Sequence, residues 1–242
     1  MWDDQDMVER DGLERVKPPN VLRTSLRAPV EVGAHLSPNI IRAKRIFDLL
    51  VASLMLTLLA PAFILIAAAV LMDGGTVFYM HRRIGWRGRM FSCLKFRTMR
   101  MNADVALEAT LQNDPKLRSQ WESAQKLLQD PRVTRVGAVL RKTSLDELPQ
   151  LFNVLWGDMS LVGPRPVVPE ELQKFYGPAA TSIYLSVRPG LTGLWQVSGR
   201  SDTNYTDRVA LDCDYIANMS IANDLSLLVR TVRTLIQRNG AY

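Results

Sequence analysis

Histidine and cysteine are nearly absent from this sequence. The 242 residues hold only His35, His81, Cys93 and Cys213. Neither a CxxC pair nor a Cys/His cluster exists, which excludes a zinc module and a disulfide framework and leaves two ordinary reduced thiols. His35 lies in a proline-rich stretch, so a Ser-His-Asp or Cys-His enzyme has almost no material here. A P-loop, a GxGxxG fingerprint, a solenoid repeat and a signal-peptide pattern are also missing. Any catalysis must fall to carboxylates, lysines and arginines.

Hydrophobic residues are 47% and charged residues 22%, close to a soluble average. The average hides a segregation, because apolar residues crowd into one early stretch. The net charge of +6 suits anionic partners: nucleic acid, acidic lipid headgroups or phosphate-bearing substrates.

Residues 1–39 read as a disordered tail, with seven acids, five bases and four prolines and no sustained apolar period. Residues 49–72 then run 24 positions without a charge, long enough to cross a bilayer. Pro61 interrupts this run near its middle. Each half would be roughly 17–18 Å long at 1.5 Å per residue, too short to cross alone. Arg42, Lys44 and Arg45 precede the run, and Arg82, Arg83, Arg87 and Arg89 follow it. Cationic flanks favour the cytoplasmic side. A helix–break–helix over 40–73 that enters and leaves by one face keeps both clusters inside, whereas a simple span exports one of them.

From residue 74 the sequence reads as one compact domain. Residues 76–80 and 90–96 resemble strands joined by the turn RRIGWRGR, and 103–113, 115–129, 135–142 and 145–156 read as helices. A turn-rich run GDMSLVGPRP follows, then Arg188-Pro-Gly before a strand LTGLWQV, and helices over 205–219 and 222–237. In the last helix Leu225, Leu228, Val229, Val232, Leu235 and Ile236 share one face, which packs on the core or lies in a membrane interface. The fold class is α+β, mainly helical, with a small sheet.

The chemistry-bearing residues concentrate in 141–166. Ser144-Leu-Asp-Glu147 fits a capping box, and acids suit a first helical turn in any protein. The same geometry serves a second use. A helix start favours phosphate, and adjacent carboxylates there can hold Mg²⁺, act as nucleophile or move a proton. Arg141, Arg165 in the Gly163-Pro-Arg-Pro166 turn, Lys95 and Arg97 supply cations for phosphate oxygens.

Lys95-Phe-Arg-Thr-Met99, Leu145-Asp-Glu-Leu-Pro-Gln150, Asn153, Gly157-Asp-Met-Ser160, Val162-Gly-Pro-Arg-Pro166 and Arg188-Pro-Gly-Leu-Thr-Gly193 together resemble the monotopic phosphoglycosyl transferases. These bacterial sugar transferases begin polysaccharide assembly. The likeness runs from about Ile41 to the C-terminus, with the rhizobial, galactosyl-phosphate type nearest in the stretch LTGLWQVSGRSD and the ending RNGAY. The resemblance implies a re-entrant membrane helix broken at Pro61 and a catalytic domain on the cytoplasmic face of the inner membrane. It implies transfer of a sugar 1-phosphate from a UDP-sugar to undecaprenyl phosphate through a covalent phosphosugar on Asp146, with Glu147 as partner and Mg²⁺ at the pair. Lys95, Arg97, Arg141, Arg165, Arg200 and Asp224 are then the expected phosphate or substrate contacts. Membrane lipids, downstream glycosyltransferases and a second copy of the chain are expected partners, and nucleic acid is not. Many members have Ser-Pro at the break where this chain has Ala60-Pro61. Two readings compete. One is direct transfer in a ternary complex, with Asp146 only a metal ligand. The other is a non-catalytic membrane scaffold for anionic lipids or nucleic acid, which leaves Asp-Glu beside Gly-Pro-Arg-Pro unexplained.

Overall fold

The computed structural model describes residues 37–124, 127, 130–199 and 204–237. The tail and Arg200 therefore lie outside the described residues, apart from the tail's last positions, Ser37–Asn39. The first helix, α1 (Pro38–Met72), starts with Pro38 in its first turn and the Ser37 side chain accepting from the Asn39 amide at 3.3 Å. It is long and apolar enough to cross a membrane. Ile46, Leu50, Leu54, Leu58, Ile64 and Leu65 are all exposed along it. An apolar face of this extent left uncovered marks a membrane-associated protein.

The expected break at Pro61 is not present: α1 continues through the proline. Proline removes one donor and crowds the preceding turn, which bends a helix without having to end it.

Both halves of α1 dock on the rest of the chain. Arg45 donates to the carbonyls of Val154 (2.6 Å) and Leu155 (3.0 Å), and Asp48 accepts from the Ser160 hydroxyl (2.8 Å) and the Leu161 amide (3.1 Å). At the other end the Val70 carbonyl accepts from Arg97 at 3.0 Å, and Phe63 packs on the rings of Phe96 and Phe152.

Strands β1 (Phe78–Ile84) and β2 (Met90–Phe96) form an antiparallel hairpin, longer than the expected strand over 76–80. Its turn needs left-handed backbone at Arg87 and Gly88. Helices α2 (Ala103–Asn113) and α3 (Pro115–Ala124) follow, with Asp114 accepting from the Lys116 amide at the start of α3. Next come α4 (Arg135–Thr143), a 3-10 turn (Leu145–Glu147) and α5 (Gln150–Trp156). Asn153 ties α5 to β2 by accepting from the Leu94 amide (2.9 Å) and donating to the Ser92 carbonyl (2.8 Å).

The run read as turn-rich contains β3 (Ser160–Val162), and α6 (Pro169–Phe175) and α7 (Gly177–Leu185) follow it without having been anticipated. The expected strand LTGLWQV divides into a short β4 (Gly190–Thr192), parallel to β3, and a helical turn α8 (Leu194–Val197). Gly193, in extended backbone against the Gly163 carbonyl, separates the two. Helices α9 (Tyr205–Ala217) and α10 (Ile221–Gln237) complete the described chain. The main core joins α1, β2, α5, β3, α9 and α10 through Ala52, Phe91, Leu151, Leu161, Tyr215 and Leu227.

Alpha10 meets that core through Leu227 and Leu228 and leaves most of its apolar face uncovered. Asp224 and Leu227 are its buried residues, while Leu225, Val229, Val232, Leu235 and Ile236 are exposed. The architecture is mainly helical with two two-stranded sheets, as the α+β reading expected.

Candidate active site

A cleft of about 690 Å³ opens between the β1–β2 hairpin, the 145–147 turn and the inner sides of α1 and α10. Its polar lining includes Asp146, Glu147, Lys95, Arg141, Arg165, Thr98 and His81. Its apolar lining includes Val51 and Met55 from α1, Leu191, and Leu228, Val232 and Leu235 from α10.

Asp146 and Glu147 reach this cleft through the backbone at Ser144. That residue ends α4 in the left-handed region, at φ 57°, and redirects the chain into the 3-10 turn. A non-glycine residue held there costs on the order of 1–2 kcal/mol, which the surrounding packing must offset. The capping box read from Ser144 and Glu147 is not formed: the serine makes no side-chain cap bond to the turn, and the glutamate turns to Lys95.

Lys95 holds the acid pair together. Its Nζ lies 2.7 Å from a Glu147 carboxylate oxygen and 3.6 Å from one on Asp146. Burial pushes the Asp146 carboxyl above the ordinary aspartate range, the Glu147 charge adds to the rise, and Lys95 and Arg141 oppose it. Arg141 donates to the Thr98 hydroxyl at 2.8 Å, so the Lys-Phe-Arg-Thr-Met segment, packed beside α4, fixes this arginine.

Arg165 comes from a tightly anchored turn. The Gly163 amide donates to the Thr192 carbonyl and the Gly190 amide to the Pro164 carbonyl, both at 2.8 Å. The Arg165 guanidinium lies 5.5 Å over the Trp195 ring. Behind the turn, Asp212 is buried, accepts from the Tyr176 hydroxyl at 2.8 Å and has its carboxyl pushed up to about 6 by burial.

Five predicted residues thus converge: Lys95, Arg141, Asp146, Glu147 and Arg165. Two others do not. Arg97 lies outside the cleft, buried under α1, where it donates to the Val70 carbonyl. The strand ends at Phe96, so the alternation that would set Arg97 beside Lys95 fails there. Asp224 is fully buried, paired with Lys44 and accepting from the Tyr215 hydroxyl at 2.8 Å. It ties α10 to α1 and α9 and does not line the cleft. Among the described residues no three Asp, Glu, His or Cys side chains gather as a metal site, so any metal there relies on the pair alone for carboxylates.

Sequence reading missed His81, Arg83, Thr98 and Trp195. The signal for the first two was present: antiparallel pairing around the Gly85–Gly88 turn sets Tyr79 opposite Lys95 and His81 opposite Cys93, on the cleft side. Cys93 itself is buried, with its thiol pushed up to about 11, which makes it an inert core thiol.

The family model described as bacterial sugar transferase matches residues 40–238. Among curated relatives, the exopolysaccharide production protein ExoY of Rhizobium meliloti is 51% identical over 215 residues, covering 88% of this chain and 94% of its own length. The UDP-galactose-lipid carrier transferase of Erwinia amylovora is 49% identical, and the undecaprenyl-phosphate galactose phosphotransferase of Salmonella typhimurium 48%, each over 199 residues and 82% of this chain. The chain spans 41% of the length of these last two. A carboxylate-and-cation cleft against an exposed apolar helix defines the class as a membrane-associated transferase. The chain belongs to the bacterial sugar transferase family.

Proposed function

We propose that this protein transfers galactose 1-phosphate from UDP-galactose to undecaprenyl phosphate, releasing UMP, as the first membrane step of exopolysaccharide synthesis. The observation that carries the reading is that one cleft is lined by Asp146, Glu147, Lys95, Arg141 and Arg165 together with apolar residues of α1 and α10. The polar lining suits a nucleotide diphosphate, and the apolar lining suits a lipid acceptor. The names of the Erwinia and Salmonella relatives support galactose and the undecaprenyl carrier.

In the first step a carboxylate oxygen of Asp146 attacks the β-phosphorus of the UDP-sugar. The bond from that phosphorus to the bridging oxygen breaks, UMP leaves with the electron pair, and an acyl phosphate carrying the sugar remains on Asp146. In the second step a phosphate oxygen of the polyprenyl acceptor attacks the same phosphorus and the Asp146 carboxylate departs. Lys95 favours the ionised Asp146 against its burial, and Arg141 and Arg165 hold phosphate oxygens while charge shifts between them. Glu147 is available to hold a proton or a cation at the phosphates.

Two adjacent carboxylates, joined by no third acid among the described residues, fit Mg²⁺, which keeps waters and substrate phosphates among its ligands. Held by Asp146 and Glu147, it would neutralise diphosphate charge.

Both ends of α1 are taken to lie on the cytoplasmic face of the inner membrane. Asp48 and Val70 touch the same body of the protein, yet 22 residues of helix separate them, about 33 Å. A body on one side of a hydrocarbon core of about 30 Å cannot reach both ends of a helix crossing it upright. The exposed apolar face of α10 suits the same interface. Outer-face labelling of Arg42→Cys and Arg89→Cys, in a background lacking Cys93 and Cys213, tests this; labelling of one flank alone would sink it.

The catalytic proposal is tested with Asp146→Asn. UMP release from UDP-galactose should vanish, with and without lipid acceptor, and radiolabelled phosphosugar should be trapped on the unaltered protein only. Wild-type release by the variant removes Asp146 as nucleophile. UMP release that strictly requires the lipid acceptor points instead to direct transfer.

A further inference from the structure

We propose that His81 is a specificity-determining contact to the nucleotide-sugar, presenting its Nε2–H to a neutral acceptor oxygen of that substrate. The inference deepens the function proposed above and rests on it. His81 stands on β1, on the cleft side of the hairpin, two positions along the strand from Tyr79, which pairs with Lys95. Diagonal neighbours across an antiparallel pair lie roughly 7–8 Å apart, about the span from a reacting phosphate to the next moiety of a nucleotide sugar.

The ring's two nitrogens have separate fates. Nδ1 lies 3.2 Å from an Arg83 guanidinium nitrogen. Arginine offers only donors, so Nδ1 must accept, and the proton of the neutral ring then sits on Nε2. Arg83 is itself held from behind by Glu171 at 3.9 Å. No residue among those described takes a hydrogen bond from Nε2. A half-buried ring that lines the cleft therefore carries a donor with no hydrogen-bond acceptor among the described residues.

The charge environment selects the kind of acceptor. Burial holds the imidazole below its ordinary range, and the Arg83 and Lys95 charges push the same way against the Glu171 carboxylate. The ring stays neutral at pH 7 among cations that already serve the phosphates. Its natural ligand is a sugar hydroxyl or a uracil carbonyl. A site built to hydrogen-bond a substrate oxygen discriminates strongly against analogues that cannot match it.

The test uses the full chain in membranes with UDP-galactose, UDP-glucose and UMP. His81→Phe keeps a ring of similar size and loses the donor; His81→Gln keeps a donor. His81→Phe should raise the KM for UDP-galactose about tenfold, with kcat changed much less, the KM for undecaprenyl phosphate unchanged and the thermal midpoint retained. His81→Gln should recover most of that affinity. An inhibition constant for UMP that stays fixed in His81→Phe, with a reduced preference between the two sugars, assigns the contact to a hexose hydroxyl. A UMP constant that rises with the KM assigns it to the uracil. An unchanged KM for UDP-galactose in a folded His81→Phe overturns the inference. Failure of the parent protein to release UMP from any UDP-sugar overturns the proposed function instead.

Discussion

Lys44 and Asp224, 180 residues apart in sequence, form an ion pair in the interior of the protein, and the Tyr215 hydroxyl donates to the same carboxylate. The pair fastens the N-terminal apolar helix to the last helix. These two helices also supply apolar lining of the cleft.

Breaking this pair on one side leaves a buried charge without a partner. Asp224→Ala or Lys44→Met should each cost about 3–5 kcal/mol. The double variant Lys44→Met/Asp224→Leu should recover a substantial part of the loss. Thermal unfolding in detergent reads both, and single variants within about 0.5 kcal/mol of the parent would show that the pair does not fasten the helices.

Asp146 should trade stability for function. Its carboxyl titrates above the ordinary value of 3.8 because burial penalises the charge. For an acid raised in this way the folded state holds the proton more tightly, so ionisation above that pKa lowers stability. Asp146→Asn is therefore expected to unfold at a higher temperature than the parent at pH 7 while losing UMP release. The stability difference should shrink as pH falls through the raised pKa. In the parent protein, activity should decline on acidification at a pH above that of an ordinary aspartate. A lower unfolding temperature for Asp146→Asn at pH 7 would contradict the account.

Gly190 has no room for a side chain. A Cβ there would lie 2.1 Å from the Gly163 amide nitrogen and 2.4 Å from the Thr192 carbonyl oxygen, both backbone atoms. Gly190→Ala should push the Gly163–Pro166 turn, and Arg165 with it, off its position at a cost of about 1–3 kcal/mol. Activity should fall by up to roughly 10²-fold, since misplacement by an ångström is enough for that. Parallel measurement of unfolding and UMP release checks it; full activity would mean that the turn does not set Arg165.

Chelation should silence the reaction. EDTA treatment is expected to lower UMP release by roughly 10²-fold or more, with recovery on addition of Mg²⁺, because a diphosphate would then have to react without its charge neutralised. Glu147→Gln should weaken the response to Mg²⁺ measured by titration. Full activity in EDTA would remove the metal from the proposal.

Much of the site was legible along the chain. Asp146, Glu147, Arg141, Lys95 and Arg165 all line the cleft, and each lies in a short charged motif that could be picked out along the chain. Arg97 and Asp224 stand outside the cleft lining, because sequence proximity cannot tell which polar group lines a cleft and which pairs with a distant carbonyl or lysine. His81 was passed over because its place depends on hairpin register. The strand read over 76–80 extends to Ile84, and only that extension sets His81 opposite Cys93.

The sequence by itself determined an uncharged run of 24 residues, an acid pair at a helical start, and a scarcity of histidine and cysteine that left carboxylates and cations to do any chemistry. Those are properties of composition and short-range spacing, which the chain carries wherever it folds. Tertiary structure alone decided that Pro61 lies inside a continuous helix, that α10 leaves most of its apolar face uncovered, and that Lys95 joins two carboxylates some 50 positions away. Each of these depends on packing between segments remote in the chain, where burial and charge pairing override local preference.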